Sequence, residues 1–180
     1  MLWVIIVIAA LLVILFVSSI HRIGPTQMGL VIKRFSFKKL SEDNVITFKK
    51  EAGYQAELLM PGLRFKLWPL FKVLKYPWVQ VPAGEIGVVI SQVGARLPVG
   101  AKSAVYKPEF GNFTRLRSFV EQGGQKGVQR PVLPPGTLAP IHPVAFLVIT
   151  RARVYGVPIS TDLKKYAAGH HTLEPAAFGL

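Results

Sequence analysis

Two stretches set the reading of this chain: Pro82-Ala83-Gly84-Glu85-Ile86-Gly87-Val88-Val89-Ile90 and its echo Pro25-Thr26-Gln27-Met28-Gly29-Leu30-Val31-Ile32. Each is a turn-forming Pro followed by a Gly and a compact β-prone run. Downstream of each lies a Pro-Gly turn, Met60-Pro61-Gly62-Leu63 in one case and Leu133-Pro134-Pro135-Gly136-Thr137 in the other. Each turn leads into an extended stretch holding a Pro, Trp68-Pro69 and His142-Pro143. A strand, a variable excursion, a Pro-Gly turn and a returning strand would produce this order twice. The matches are short, so chance competes with a shared hairpin-like unit. The order of the matches in both halves favours the shared unit, with halves at 23–80 and 81–160.

Working outward, Arg64 to Leu74 alternates in part, Phe65, Leu67 and Val73 against Arg64, Lys66 and Lys72. Pro69 interrupts it, which predicts an edge strand or two short ones. Val144 to Thr150 reads as a further strand, and Gly94 to Phe110 as an extended loop. Thr114 to Glu121 is the one good helix candidate in the body, with Leu116, Phe119 and Val120 at helical spacing. Asn112 or Thr114 is placed to cap it and Gly123-Gly124 to end it.

Ahead of this body, Leu2 to Ile20 is a run of 19 residues without a charge. As a helix it would measure about 28 Å, near the ~30 Å hydrocarbon core of a bilayer. Trp3 stands near one end and His21-Arg22 close the other. A cleaved signal peptide competes, since Val17-Ser18-Ser19 has small residues, but no Lys or Arg precedes the run. A buried core helix is rarely apolar on every face. The expectation is therefore an anchor over residues 1–22. Arg22, Lys33, Arg34, Lys38 and Lys39 follow it, and the positive-inside rule then puts the body on the cytoplasmic side. The fold class expected is α+β: one transmembrane helix, then a β-rich mixed domain over 23–160 with few helices, and a short tail over 161–180.

The chain of 180 residues carries 22 Lys+Arg against 9 Asp+Glu, for a formal net charge of +13, and no Cys. The missing Cys excludes disulfides, Cys-ligated zinc, iron–sulfur clusters and a thiol nucleophile. The basic excess is spread evenly over both halves. Such a surface attracts nucleic acid or anionic lipid. No nucleic-acid motif accompanies it, and Lys38, Lys39, Lys49 and Lys50 sit in none, so anionic headgroups are the expected partner and nucleic acid is not. A merely solvated basic face competes equally for any one residue. Trp68, Phe71, Tyr76 and Trp78 with Lys66, Lys72 and Lys75 suit a headgroup region, though an ordinary sheet core with solvated lysines explains them at least as well.

Candidate chemistry is sparse. Gly123-Gly124-Gln125-Lys126-Gly127 lacks the Ser or Thr of a phosphate-binding loop and reads as a turn after the helix. His170-His171 has only Glu174 nearby and no third ligand at a good spacing, so no metal site is expected. His142 reads as packed or hydrogen-bonded. Ser91, Ser103, Ser118 and Ser160 lack a nucleophile elbow, and Glu42-Asp43 reads as a loop. No enzyme, no catalytic residue and no cofactor are expected.

The motif Pro82-x-Gly84-Glu85-x-Gly87-Val88-Val89, with the later Pro135-Gly136 and the preceding apolar segment, resembles the band 7 or SPFH family (stomatin, prohibitin, flotillin, HflK and HflC). Phe119-Val120-Glu121-Gln122-Gly123-Gly124-Gln125-Lys126-Gly127-x-Gln129, Leu133-x-Pro135-Gly136 and His142-Pro143 are similar to the longer bacterial flotillin-like members. The resemblance covers most of residues 22–160. It implies a β-rich domain at the membrane and a scaffold that organises membrane patches and partner membrane proteins, often as large assemblies. Members continue into a coiled coil. Residues 161–180 hold Gly169, Pro175 and Gly179 and show no heptad, so the expected assembly element is missing and the chain reads as truncated. In this reading Leu2, Trp3 and Ile20 belong to the anchor, Arg22, Lys33 and Arg34 set orientation and touch headgroups, and Gly87, Gly123, Gly124 and Gly136 shape turns and close approaches. The rival readings are a secreted basic binding domain released near Ser19 and a membrane-tethered enzyme with a non-standard site.

Overall fold

The computed structural model describes residues 2–36, 45–48 and 51–168. Lys38, Lys39, Glu42, Asp43, Lys49, Lys50, Gly169, His170, His171, Glu174, Pro175 and Gly179 lie outside the described residues. The chain divides into two compact units, Met1–Pro77 and Trp78–Leu180.

The first unit opens with helix α1 (Leu2–Ser18) and continues through strands β1 (Ile20–Ile23), β2 (Gln27–Lys33), β3 (Ile46–Thr47), β4 (Gly53–Leu59), β5 (Gly62–Phe65) and β6 (Phe71–Pro77). β2 is the apolar run after Pro25. It lies between β4 and β6 in a sheet of order β3-β4-β2-β6, and β1 pairs with β5 in a separate two-stranded ribbon. The interrupted stretch around Pro69 resolves into two strands, β5 and β6, with a cis Trp68–Pro69 peptide between them.

The transmembrane expectation is corrected here. α1 has 17 residues, about 25 Å at ~1.5 Å per residue, short of the ~30 Å hydrocarbon core. No helix among the described residues is long and apolar enough to cross a membrane. The apolar run continues to Ile20, but the helix does not. Ser19 is fully buried; its amide donates to the Phe16 carbonyl, and its carbonyl accepts from the Lys66 amide (2.9 Å). Ile20 then enters β1 opposite Phe65. The single-pass topology, and the cytoplasmic placement argued from its flanking charges, fall with this length.

The second unit contains β7 (Val79–Gln80), β8 (Val88–Ser91), α2 (Leu116–Glu121), β9 (Gly127–Val128), β10 (Leu138–Ala139), β11 (Phe146–Ile149), β12 (Val154–Tyr155) and α3 (Thr161–Ala168). Its sheet has the order β12-β11-β8-β9, and β7 pairs with β10. One sheet face holds Ile90, Leu147 and Ile149, with Val128, Val154 and Leu163 of α3 against it. The long excursion from β8 to β9 packs its aromatic side chains against Phe146 of β11. Phe110, Phe119 and Phe146 follow one another at 4.7 and 5.0 Å between ring centroids, edge to face, with Phe113 5.6 Å from Phe146. Each such pair contributes about 0.5–1.5 kcal/mol beyond its buried area.

Arg115 is the N-cap of α2 and makes no side-chain capping bond; the Thr114 hydroxyl donates to the Gly111 carbonyl (2.6 Å). Its far end is closed by glycines. The Gly123 amide donates to the Val120 carbonyl and the Gly124 amide to the Phe119 carbonyl (2.7 Å). This is the Schellman pattern, with Gly123 at φ 76° in the left-handed region. α3 stands where the sequence reading places only a short tail. Ser160 caps it, its hydroxyl accepting from the Leu163 amide (3.2 Å), and Asp162 occupies its first turn, the favourable end of the helix dipole for an acid.

The internal echo extends well beyond the motifs that suggested it. In both units the first ribbon strand leads through a tight turn into the central strand, β1 to β2 and β7 to β8. The turns match: the Gln27 amide donates to the Gly24 carbonyl and the Glu85 amide to the Pro82 carbonyl, each at 3.2 Å. The central strand pairs antiparallel with the strand returning after the Pro-containing stretch, β2 with β6 and β8 with β11. On the other side Ile32, Lys33 and Gly29 face Tyr54, Gly53 and Leu59; Ile90, Ser91 and Gly87 face Val128, Gly127 and Leu133. The chain after those partners reads Gly53-x-Gln55-x-x-x-Leu59-x-Pro61-Gly62 and Gly127-x-Gln129-x-x-x-Leu133-x-Pro135-Gly136, identical in spacing. The two glutamines make equivalent bonds. Gln55 donates to the carbonyls of Glu51 and Gly53, and Gln129 to those of Gln125 and Gly127. Each unit is thus a copy of one strand-turn-strand plan.

Candidate functional site

The first unit carries an exposed apolar helix. α1 carries Leu, Ile, Val and Phe on every face, and these side chains are exposed, among them Ile8, Leu12 and Phe16. A helix that is apolar all round is normally buried. Contiguous apolar surface of this extent marks an interaction site.

Ser19 ties down the base of α1. The Ser19 hydroxyl donates to the Leu15 carbonyl (2.7 Å) and accepts from the Trp68 amide (3.0 Å). Together with the bond from Lys66 to the Ser19 carbonyl, this ties the helix to the corner between β5 and β6. The Phe16 ring rests 5.7 Å from the Phe65 ring. Leu12, Val13, Leu15, Phe16, Phe65 and Leu67 line an open apolar groove there.

The ribbon carries the apolar surface outward. Ile20 lies opposite Phe65 and Arg22 opposite Leu63. Partners in an antiparallel pair share a face and successive residues alternate, so Ile20, Phe65, Arg22 and Leu63 share one face. His21 and Arg64 are paired on the other. Leu63, Phe65, Leu67, Trp68 and Leu70 are all exposed. Lys66 Nζ lies 5.4 Å from the Phe71 ring centroid, within cation–π range. The Arg34 amide donates to the Leu70 carbonyl (2.9 Å), which sets exposed Arg34 and Phe35 beside the same corner. No Asp or Glu occurs in α1, β1, β5, β6 or the residues joining β5 to β6.

The residues expected to act at the membrane are therefore only partly gathered. Leu2 opens α1 and exposed Trp3 stands on its first turn. Ile20 and Arg22 lie on β1 at its base, and Lys33 ends β2 opposite Phe71. Leu63, Arg64 and Phe65 join them although sequence reasoning assigns them no role; the alternation Leu63-x-Phe65-x-Leu67 against Arg64 and Lys66 carries the signal. Of the aromatic group, Trp68 is exposed, whereas Phe71 and Tyr76 are half-buried on β6. Burial, and then the charge of Tyr54, raises the Tyr76 pKa above its usual 10.0.

The glycines sit elsewhere. Gly87 packs where a Cβ would meet Val81, Leu133 and Val148 at 3.0–3.3 Å, and Gly124 lies against the Phe119 ring. Gly136 forms the Pro-Gly turn at φ 77°. His142 is buried, and its Nδ1 accepts from the amides of Val144 and Ala145 (3.3 and 3.1 Å). The Ser91 hydroxyl donates to the Val93 carbonyl. Among the described residues no group of three or more His, Cys, Asp and Glu is placed to hold a metal ion.

No family model, curated protein or solved structure matches the chain. The band 7 label accordingly rests on the motif resemblance alone.

Proposed function

We propose that this protein is a non-catalytic scaffold that attaches to lipid through α1 and organises membrane patches and partner membrane proteins, the role that the band 7 resemblance implies. The attachment is insertion without crossing: α1 enters the bilayer from one side. The observation that carries this reading is the bare apolar helix, continuous with Ile20, Phe65 and Leu67 and ending at a corner bearing Trp68 and cations. Trp and Lys or Arg with apolar stems suit the boundary between acyl chains and headgroups.

Flotation tests it. The full chain is expected to rise with phosphatidylcholine vesicles in a density gradient. A variant carrying Ile8→Lys and Leu12→Lys should stay at the bottom, since a Lys in the hydrocarbon region costs about 2.5–3.5 kcal/mol. Failure of the unaltered protein to float would overturn the attachment.

A further inference from the structure

We infer that the base of α1 is a recognition surface for anionic phospholipid headgroups, with Arg22, Arg64 and Lys66 as the selecting residues; this rests on the lipid attachment proposed above. Three observations carry it. First, the cations flank the apolar surface: Arg22 shares a ribbon face with Ile20, Phe65 and Leu63, Lys66 follows Phe65 in the chain, and Arg64, between Leu63 and Phe65, lies on the other face of the same ribbon. When Ile20 and Phe65 meet acyl chains, Arg22 lies two residue pairs further along the ribbon, about 7 Å, within reach of the headgroups. Second, the surface is one-signed. Glu51 and Glu57 are the acids among the described residues of this unit, and neither is on α1, the ribbon or β6. Third, the corner is held firmly. Ser19 bonds to Leu15, Trp68 and Lys66, so the cations keep a set position relative to the inserted helix. A basic surface held against an anionic leaflet gains affinity with each cation and loses it beyond a Debye length.

The test compares vesicles of pure phosphatidylcholine with vesicles containing phosphatidylserine, using the full chain. The expected result is tighter binding to the phosphatidylserine vesicles by about 5-fold per engaged cation, about 100-fold for three, falling as salt is raised. A variant with Arg22→Gln, Arg64→Gln and Lys66→Gln should lose the preference for phosphatidylserine over phosphatidylcholine. A control with Lys102→Gln and Arg151→Gln, in the other unit, should keep the preference. Equal binding of the unaltered protein to both vesicles, or an undiminished preference in the triple variant, would overturn the inference while leaving the attachment standing. Binding to neither vesicle would overturn the attachment, and this inference with it. Unchanged thermal unfolding of the triple variant separates lost recognition from lost fold.

Discussion

Gly29 and Gly87 occupy the same place in the two copies of the strand-turn-strand plan, and replacing each by Ala probes whether the copies are packed alike. A Cβ on Gly29 would meet Ile23 Cδ1 at 2.7 Å, Leu59 Cβ at 3.1 Å and Val73 Cγ1 at 3.1 Å. A Cβ on Gly87 would meet Val81 Cγ2 at 3.0 Å, Leu133 Cβ at 3.1 Å and Val148 Cγ1 at 3.3 Å. The neighbours correspond one to one along the chain. Neither glycine has a positive φ, so only crowding opposes Ala. Overpacking costs about 1–3 kcal/mol, offset by about 0.4–1 kcal/mol from the stiffer unfolded chain. The worst contact at Gly29 is the tip of a flexible Ile and can swing aside. At Gly87 it is a β-branched Val whose methyl cannot move without turning the whole side chain. Gly29→Ala should therefore cost about 1 kcal/mol and Gly87→Ala about 2 kcal/mol. The second variant in the cycle is Ile23→Val, which deletes the colliding Cδ1. Urea unfolding of the single and double variants should show Gly29→Ala and Ile23→Val coupled favourably, by about 0.5–1 kcal/mol. Strict additivity of the two changes, or a Gly87→Ala protein as stable as the parent, would refute the shared packing.

Two further outcomes follow from the first unit. Ser19→Ala leaves the Trp68 amide without its acceptor and should destabilise the corner by about 1–3 kcal/mol, seen as earlier unfolding by tryptophan fluorescence. Tyr76 has a folded-state pKa raised above its unfolded value of 10.0. Its contribution is therefore fully present below pH 10 and is lost as pH rises through the raised value. Stability should fall more steeply above pH 10 in the parent than in Tyr76→Phe, measured by thermal unfolding across that range.

Much of the β architecture is legible in local sequence. The runs after Pro25 and Pro82 become the central strands β2 and β8, Pro69 splits β5 from β6, and Phe119 with Gly123-Gly124 marks the end of α2. These depend on neighbours in the chain: β-branched side chains, a missing amide, a left-handed glycine. What depends on distant partners is not legible. Hydropathy counts Ile20 with the apolar helix, but the Ser19 bonds to Trp68 and Lys66, 49 residues apart in the Ser19–Trp68 case, turn Ile20 into a strand. That contact shortens the helix below a membrane span. The α2 cap fails for a local reason instead, since the Thr114 hydroxyl donates to the Gly111 carbonyl three residues back. The ribbon face that joins Ile20, Phe65 and Arg22 exists only in the β1–β5 register. By contrast, the matched Gly-x-Gln segments at 53–55 and 127–129 are open to inspection, as is the Ser160 cap of α3.

The central claim is that α1 enters lipid without crossing it, and the chain suits a direct measurement because it has no Cys. Single cysteines at Trp3 and Phe16 would be exposed, on sealed vesicles, to a membrane-impermeant thiol reagent added outside or trapped within. The account predicts that Trp3→Cys is shielded from both reagents when the protein is vesicle-bound and reacts freely when it is not. Reaction of Trp3→Cys with the trapped reagent would show a crossing helix. Full reaction of both cysteines from outside would show that α1 never enters the bilayer. Either result would contradict the account.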